Sequence, residues 1–348
     1  MTAFLRLLVS MARPPLVVLL GLFAATGLAQ AGHPDSGALL ARVLLVTIAF
    51  LLFNVVINDL SDRAIDRVNL PGDPSRPQAH GLGTDRDFAI VGATSGVLAL
   101  GASLLLGGPA LAVVAAGMAL GACYSLRPIR LADRGALASL LLPAGYVAVP
   151  YLVGLFAVRR SVRPDDLYLL AGLYIGFIGR ILLKDFRDVR GDTLFGKRTF
   201  LVRHGRRATC AASAVCWTAG SFTLFAVRDI TPAFVCLWVA YVGVALGVLW
   251  ALASDRGPRR DETLISSVAL IGRGMIVTLI AHFAMMGARL AAPAYDGLLL
   301  ATGALVLGTT ARMLRHGPST RLTVPSDLTA RAPTSASPSP MAAPCGRA

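Results

Sequence analysis

The chain has 348 residues; 55% are hydrophobic and only 15% charged, yet its formal net charge is +14. A mean hydropathy of +0.67 is too high for an ordinary soluble surface, which excludes a basic nucleic-acid binder, since that needs cationic patches on a wettable fold. The composition is that of a membrane protein, and the informative question is where its charge lies.

A spanning helix needs roughly 17–25 mainly apolar residues. Such runs occur at about 15–32, 39–57, 88–106, 109–124, 135–157, 165–183, 208–227, 231–253, 264–287 and 293–310. Gly and Ala are frequent inside them, which suits close helix contact in lipid. A secretory signal competes for the first run, because Ala29-Gln30-Ala31 has the small-x-small cleavage pattern. That run is long for a signal core and is read as a retained span. The last run starts with Pro293 and Asp296. The expected fold is therefore all-α, a polytopic membrane bundle of nine core spans with 293–310 as a candidate tenth.

With the N-terminus in the cytoplasm, 25 of the 33 cations fall in cytoplasmic segments and five on the opposite side. Arg42, Arg180 and Arg273 lie within or at the ends of spans. The positive-inside rule sets this orientation. The two longest polar loops, 58–87 and 184–207, then share the cytoplasmic face. The second holds eight cations, including Lys184 and Lys197, the only lysines of the chain. Residues 311–348 read as a disordered cytoplasmic tail, rich in Pro, Ser, Thr and Ala from about 318 onward. The five cysteines have no metal spacing and the five histidines are scattered.

Glutamate occurs once, at Glu262, so the acidic residues are essentially aspartates. One cluster follows the second run, where Asn58, Asp62 and Asp66 are spaced i, i+4, i+8 and Asp59 lies three before Asp62. If the helix continues past the membrane edge, all four fall on one flank. The other follows the sixth run, with Asp185, Asp188 and Asp192 at i, i+3, i+7. Like charges on one helix face repel, so two such faces point to a compensating cation. Carboxylate oxygens favour a hard divalent ion, and Mg²⁺ keeps waters while bridging to substrate phosphates. Lys184, Arg187, Arg190 and Arg76 stand beside the carboxylates, as a diphosphate would need.

At these residues the chain resembles the UbiA superfamily of intramembrane prenyltransferases. The first signature, Asn-Asp-x-x-Asp-x-x-x-Asp, is matched at Asn58, Asp59, Asp62 and Asp66, with its continuation at Asn69, Pro71, Arg76 and Pro77. The second, Asp-x-x-Asp-x-x-Gly-Asp, is matched at Asp185, Asp188, Gly191 and Asp192. Phe195 to Phe200 is similar to the homogentisate and ether-lipid branches. The likeness covers about 12–287 and makes 1–310 a transmembrane prenyltransferase domain. There are departures. Tyr124 is present, but Pro128 stands where many members carry lysine, and Ile181 stands where some branches carry tyrosine.

The resemblance implies Mg²⁺-dependent transfer of a prenyl group from an allylic prenyl diphosphate to an aromatic ring or hydroxyl, releasing diphosphate. Asn58, Asp62, Asp66, Asp185, Asp188 and Asp192 are the expected metal ligands. Arg76, Lys184, Arg127, Arg130 and Arg180 are expected on the diphosphate. Asp59, Asp192 and Tyr124 are expected to orient the acceptor or take its proton. Arg273, an ionisable residue in mid-span, is a functional candidate for binding the acceptor. The partners are then a prenyl diphosphate, a small-molecule or lipid acceptor and membrane lipid, with neither nucleic acid nor a protein partner expected. The expected location is a bacterial plasma membrane, with the site facing the cytoplasm. A terpene cyclase of the same superfamily would use the same acids. A cation-coupled transporter is a further alternative, although transporter sites lie near the midplane rather than at one face.

Overall fold

The computed structural model describes residues 3–32, 36–69, 77, 83–194, 196, 199–222, 227, 229–254 and 257–318; the side chains of 3–5, 68–69, 188, 190–192 and 258 lie outside the description. Every regular element among the described residues is helical. In lipid a spanning segment must satisfy its own backbone polar groups, and a helix does so within one segment. In chain order the helices are α1 (Ala3–Ala12), α2 (Pro14–Gln30), α3 (Gly37–Asn69), α4 (Asp85–Leu106) and α5 (Gly108–Ser125). They continue with α6 (Ala136–Pro143), α7 (Val149–Phe156), α8 (Pro164–Leu194), α9 (Phe200–Phe222), α10 (Pro232–Ala253), α11 (Pro258–Gly287) and α12 (Ala292–His316).

Among the described residues eight helical spans are long and apolar enough to cross a membrane, one of them Ala136–Phe156, which runs from α6 through α7, and the bent pair formed by α1 and α2 makes nine. The 293–310 run qualifies as α12, which continues to His316, past the expected domain boundary at 310. Residues 319–348 of the expected tail lie outside the description. The 208–227 run begins as α9 but its described part is not among the qualifying spans. Gly205, at φ 76°, breaks that helix near its start, and 223–226 are not described.

Local chemistry explains several boundaries. Thr84 and Asp87 form a reciprocal capping box at the start of α4: the Asp87 N–H donates to Thr84 Oγ1 (3.2 Å) and the Thr84 N–H to Asp87 Oδ2 (2.8 Å). Prolines 14, 109 and 232 sit in first turns, where the missing N–H costs nothing. Between α6 and α7, Ala144–Ala148 forms a π-helical turn directly after Pro143. Such turns widen a helix and recur at functional sites. α2 and α7 touch backbone to backbone. A Cβ on Gly27 would fall 1.9 Å from the Tyr151 carbonyl oxygen, and one on Gly154 would fall 2.1 Å from that of Ala24. Only glycine on both sides permits this approach.

The core has two halves. Ala24, Val46, Phe50, Ala99, Val114 and Val153 join α2 to α3, α4, α5 and α7. Leu183, Trp217, Tyr241, Leu249, Val268 and Val306 join α8 to α12. Leu19, Phe23, Phe177 and Ile276 link the halves through α2, α8 and α11. Asn58, Asp62 and Asp66 of α3 and Asp185 of α8 line one cavity along this seam.

Candidate active site

A cavity of about 390 Å³ opens along that seam, within the usual size range of small-molecule sites. Its polar end is built by α3 and α8. α3 runs well past the apolar stretch, as the motif required, and places Asn58, Asp62 and Asp66 on the cavity wall. α8 likewise continues to Leu194 and contributes Arg180, Lys184, Asp185 and Arg187. Tyr124 lines the cavity from the last turn of α5. Below the polar end the walls are apolar, with Leu16 and Leu20 of α2, Phe50 and Leu51 of α3, and Phe177 of α8.

The acidic wall is held in place by hydrogen bonds. Asn58 Nδ2 donates to Asp62 Oδ2 (3.1 Å), leaving the Asn58 carbonyl oxygen available as an acceptor. Arg130 Nη2 donates to Asp62 Oδ1 (2.6 Å), and its Nε donates to Asp133 (2.7 Å). Arg130 also reaches the carbonyls of Ser61 (3.3 Å) and Ser125 (3.4 Å), tying the loop after α5 to α3. On α8, Arg187 pairs with Glu262 of α11 (2.6 Å) and donates to Ser266 (3.2 Å). Arg180 lies over the Phe177 ring at 5.3 Å, a cation–π contact. Phe177 in turn stacks on Tyr146 and meets Phe23 edge-on.

The expected site residues divide into groups. Asn58, Asp62, Asp66, Tyr124, Arg180, Lys184 and Asp185 are brought to one cavity. Arg76 lies outside the described residues, as do the side chains of Asp188 and Asp192, although both aspartates ride on α8. Four of the expected residues, Asp59, Arg127, Arg130 and Arg273, do not line this cavity. Asp59 does not share the flank of its neighbours: it is 2% exposed, absent from the cavity wall, and ion-paired with Arg13. Successive helical residues are turned by about 100°, so Asp59 faces α2 while Asn58 and Asp62 face the cavity. Arg127 is exposed away from the cavity, and Arg130 reaches Asp62 from behind rather than lining the space itself. Arg273 lines an adjoining apolar recess and not the polar cavity itself.

Sequence reasoning missed Arg13, Asn54, Tyr146 and Phe177, all of which line the cavity. Arg13 had one usable signal, a cation directly before Pro14-Pro15 at the mouth of a span. The others are apolar or neutral residues inside spans, where no spacing marks them. Among the described residues no three His, Cys, Asp or Glu side chains converge to hold one ion. The oxygen donors at the polar end, the Asn58 amide and the carboxylates of Asp62, Asp66 and Asp185, nonetheless suit a hard cation that keeps waters of its own.

A sequence model of the UbiA prenyltransferase family matches residues 17–271. The chain is 29% identical over 165 residues to the bacteriochlorophyll synthase 34 kDa chain of Chloroflexus aurantiacus, an alignment covering 47% of this chain and 51% of that one. It therefore spans about half the length of that relative. It is 33% identical over 231 residues to digeranylgeranylglyceryl phosphate synthase of Methanoculleus marisnigri, covering 62% of this chain and 75% of that one. In fold it is similar to a solved structure of digeranylgeranylglyceryl phosphate synthase, with a TM-score of 0.61, 16% identity and coverage of 81% and 99%. It is also similar to a UbiA homolog from Archaeoglobus fulgidus bound to DMAPP and Mg²⁺, with a TM-score of 0.54, 15% identity and coverage of 90% and 100%. The family match runs over well more than half of the chain and includes both acidic clusters, so the chain belongs to the UbiA prenyltransferase family.

Proposed function

We propose that this protein transfers a prenyl group from an allylic prenyl diphosphate to an acceptor bearing an aromatic ring or hydroxyl, with Mg²⁺ as its cofactor. The observation that carries the reading is one cavity with two chemistries: Asn58, Asp62, Asp66, Lys184 and Asp185 at one end and an apolar interior beyond them. Asn58, Asp62, Asp66 and Asp185 are the described residues that would hold the metal, and α8 brings Asp188 and Asp192 as further candidates. Bound there, Mg²⁺ supplies Lewis-acid stabilisation to the departing diphosphate. Lys184 and Arg180 add fixed positive charge on the same wall, where negative charge grows as the allylic C–O bond breaks. The apolar walls hold the prenyl chain and keep water from the allylic cation. The electron pair of the acceptor then forms the new bond to the allylic carbon, and the acceptor loses a proton; Tyr124, which lines the cavity, is our candidate for orienting that acceptor. The UbiA homolog bound to DMAPP and Mg²⁺ supports the reading by analogy of fold.

The cation bias of 25 against five supports a site that faces the cytoplasm. The test is lipid-reconstituted protein with Mg²⁺, a panel of prenyl diphosphates and a set of acceptors, read by diphosphate release and product mass. Asp62→Ala and Asp188→Ala, or chelation of Mg²⁺, should abolish release. Turnover that survives Asp62→Ala would remove the metal assignment. Cyclic products from a prenyl diphosphate alone would mark a cyclase instead.

A further inference from the structure

Beside the large cavity lies a recess of about 70 Å³. The two adjoin at Phe177, Arg180 and Ala269, which line both. The surface of the recess is almost wholly carbon although Arg180 and Arg273 are among its walls. Both arginines therefore present mainly their aliphatic stems to it. Such a surface suits a hydrocarbon and not the charged head of an acceptor.

Small residues create this space. Gly172 and Gly176 of α8, Gly220 of α9 and Gly272 of α11 all line it. Two of them have an evident packing reason. A Cβ on Gly220 would fall 2.7 Å from the backbone of Gly172 and of Gly176, and one on Gly272 would fall 3.0 Å from the Trp217 ring. Gly176 differs, because a Cβ added there meets nothing within 4 Å. A Cβ there stands in open space, and Gly176 shares the helix face of Gly172, Leu173, Phe177 and Arg180, which also line the recess, so a larger residue would extend toward it.

Position along α8 says what reaches this space. Gly176 lies eight residues before Lys184, or about 12 Å along the helix axis. With the diphosphate held near Lys184, a dimethylallyl chain is too short to arrive, whereas longer prenyl chains reach it. An apolar cavity of about 150 Å³ accepts benzene, so the recess has room for a branched chain end but not for an aromatic acceptor. We propose that the recess receives the distal end of the prenyl chain and that Gly176 is a specificity-determining residue for chain length. This rests on the prenyl-transfer reading above.

The test uses the full chain in lipid nanodiscs and the substrate panel of dimethylallyl, geranyl, farnesyl and geranylgeranyl diphosphates. Gly176→Ala and Gly176→Leu should lower, in graded fashion, the ratio of kcat/KM for the longest used substrate to that for the shortest. For Gly176→Leu the ratio should fall at least tenfold. A second readout needs neither turnover nor metal. Trp217 and Trp238 line the recess, whereas Trp250 is 77% exposed on the outer surface. In a Trp250→Phe background, non-hydrolysable prenyl analogues should shift indole emission only above a threshold chain length, and Gly176→Leu should remove the shift. An unchanged ratio in both folded variants would overturn the proposal. So would an emission shift given equally by short analogues or by phospholipid acyl chains. If the wild type releases no diphosphate from any chain length, the prenyl-transfer reading itself fails and takes this inference with it.

Discussion

Replacing Arg130 separates two roles that a cation near a diphosphate site can play. Arg130 donates to Asp62 Oδ1 at 2.6 Å, while Asn58 holds the other oxygen of the same carboxylate at 3.1 Å. The two side chains are only 13% and 14% exposed, and Arg130 does not line the cavity. Arg130→Ala therefore removes a charge-assisted bond from a largely buried carboxylate. Such a bond contributes about 1.5–3 kcal/mol, which at about 1.4 kcal/mol per decade corresponds to roughly 10- to 150-fold. Loss of a partner that orients a metal-binding group typically weakens metal affinity by about 10–100-fold. The Mg²⁺ concentration for half-maximal diphosphate release should rise by that factor in Arg130→Ala. At saturating Mg²⁺ the KM for prenyl diphosphate should change less than about threefold, well below the same range. Arg130→Lys keeps the charge but loses the fork that serves Asp62 and Asp133 together, and should fall between. An unaltered Mg²⁺ dependence combined with a raised KM for prenyl diphosphate would refute the reasoning and put Arg130 on the substrate.

Two further outcomes test the packing that positions the site. Arg13→Ala leaves Asp59, 2% exposed, without its ion pair; breaking such a pair costs about 3–5 kcal/mol, which thermal unfolding in detergent should register. Replacing both partners by apolar residues should recover most of that loss, and failure to recover would show that Asp59 matters to stability apart from Arg13. Gly154→Ala should destabilise by about 1–3 kcal/mol through overpacking, because its Cβ would fall 2.1 Å from the Ala24 carbonyl oxygen. Gly145→Ala, whose Cβ meets nothing within 4 Å, should leave the unfolding temperature in place.

Much of the fold was legible because lipid imposes a simple rule on sequence. Apolar runs of spanning length have to become helices, and the runs at 39–57 and 165–183 did so as the cores of α3 and α8. The polar extensions of these two helices were legible too, since Asn58, Asp62 and Asp66 repeat at helical spacing. Periodicity was weaker at assigning flanks. It grouped Asp59 with Asp62, whereas Asp59 faces α2 and pairs with Arg13 at the bend between α1 and α2. α1 itself was not expected, because a helix of 10 residues is too short to register as a span.

What the sequence alone determined was the membrane class, the helical architecture and the two acidic clusters, because hydropathy and short-range spacing are local properties. The tertiary structure decided which of those groups meet. Asn58 and Asp185 are separated by most of the first half of the bundle in sequence, and only the packing of α3 and α8 along the α2–α11 seam brings them to one cavity. The same packing brought Arg130 to Asp62 without placing it on the cavity wall, and opened the recess beside Gly176. Contacts between helices depend on side-chain size and direction summed over several elements, and no single stretch of sequence contains that sum.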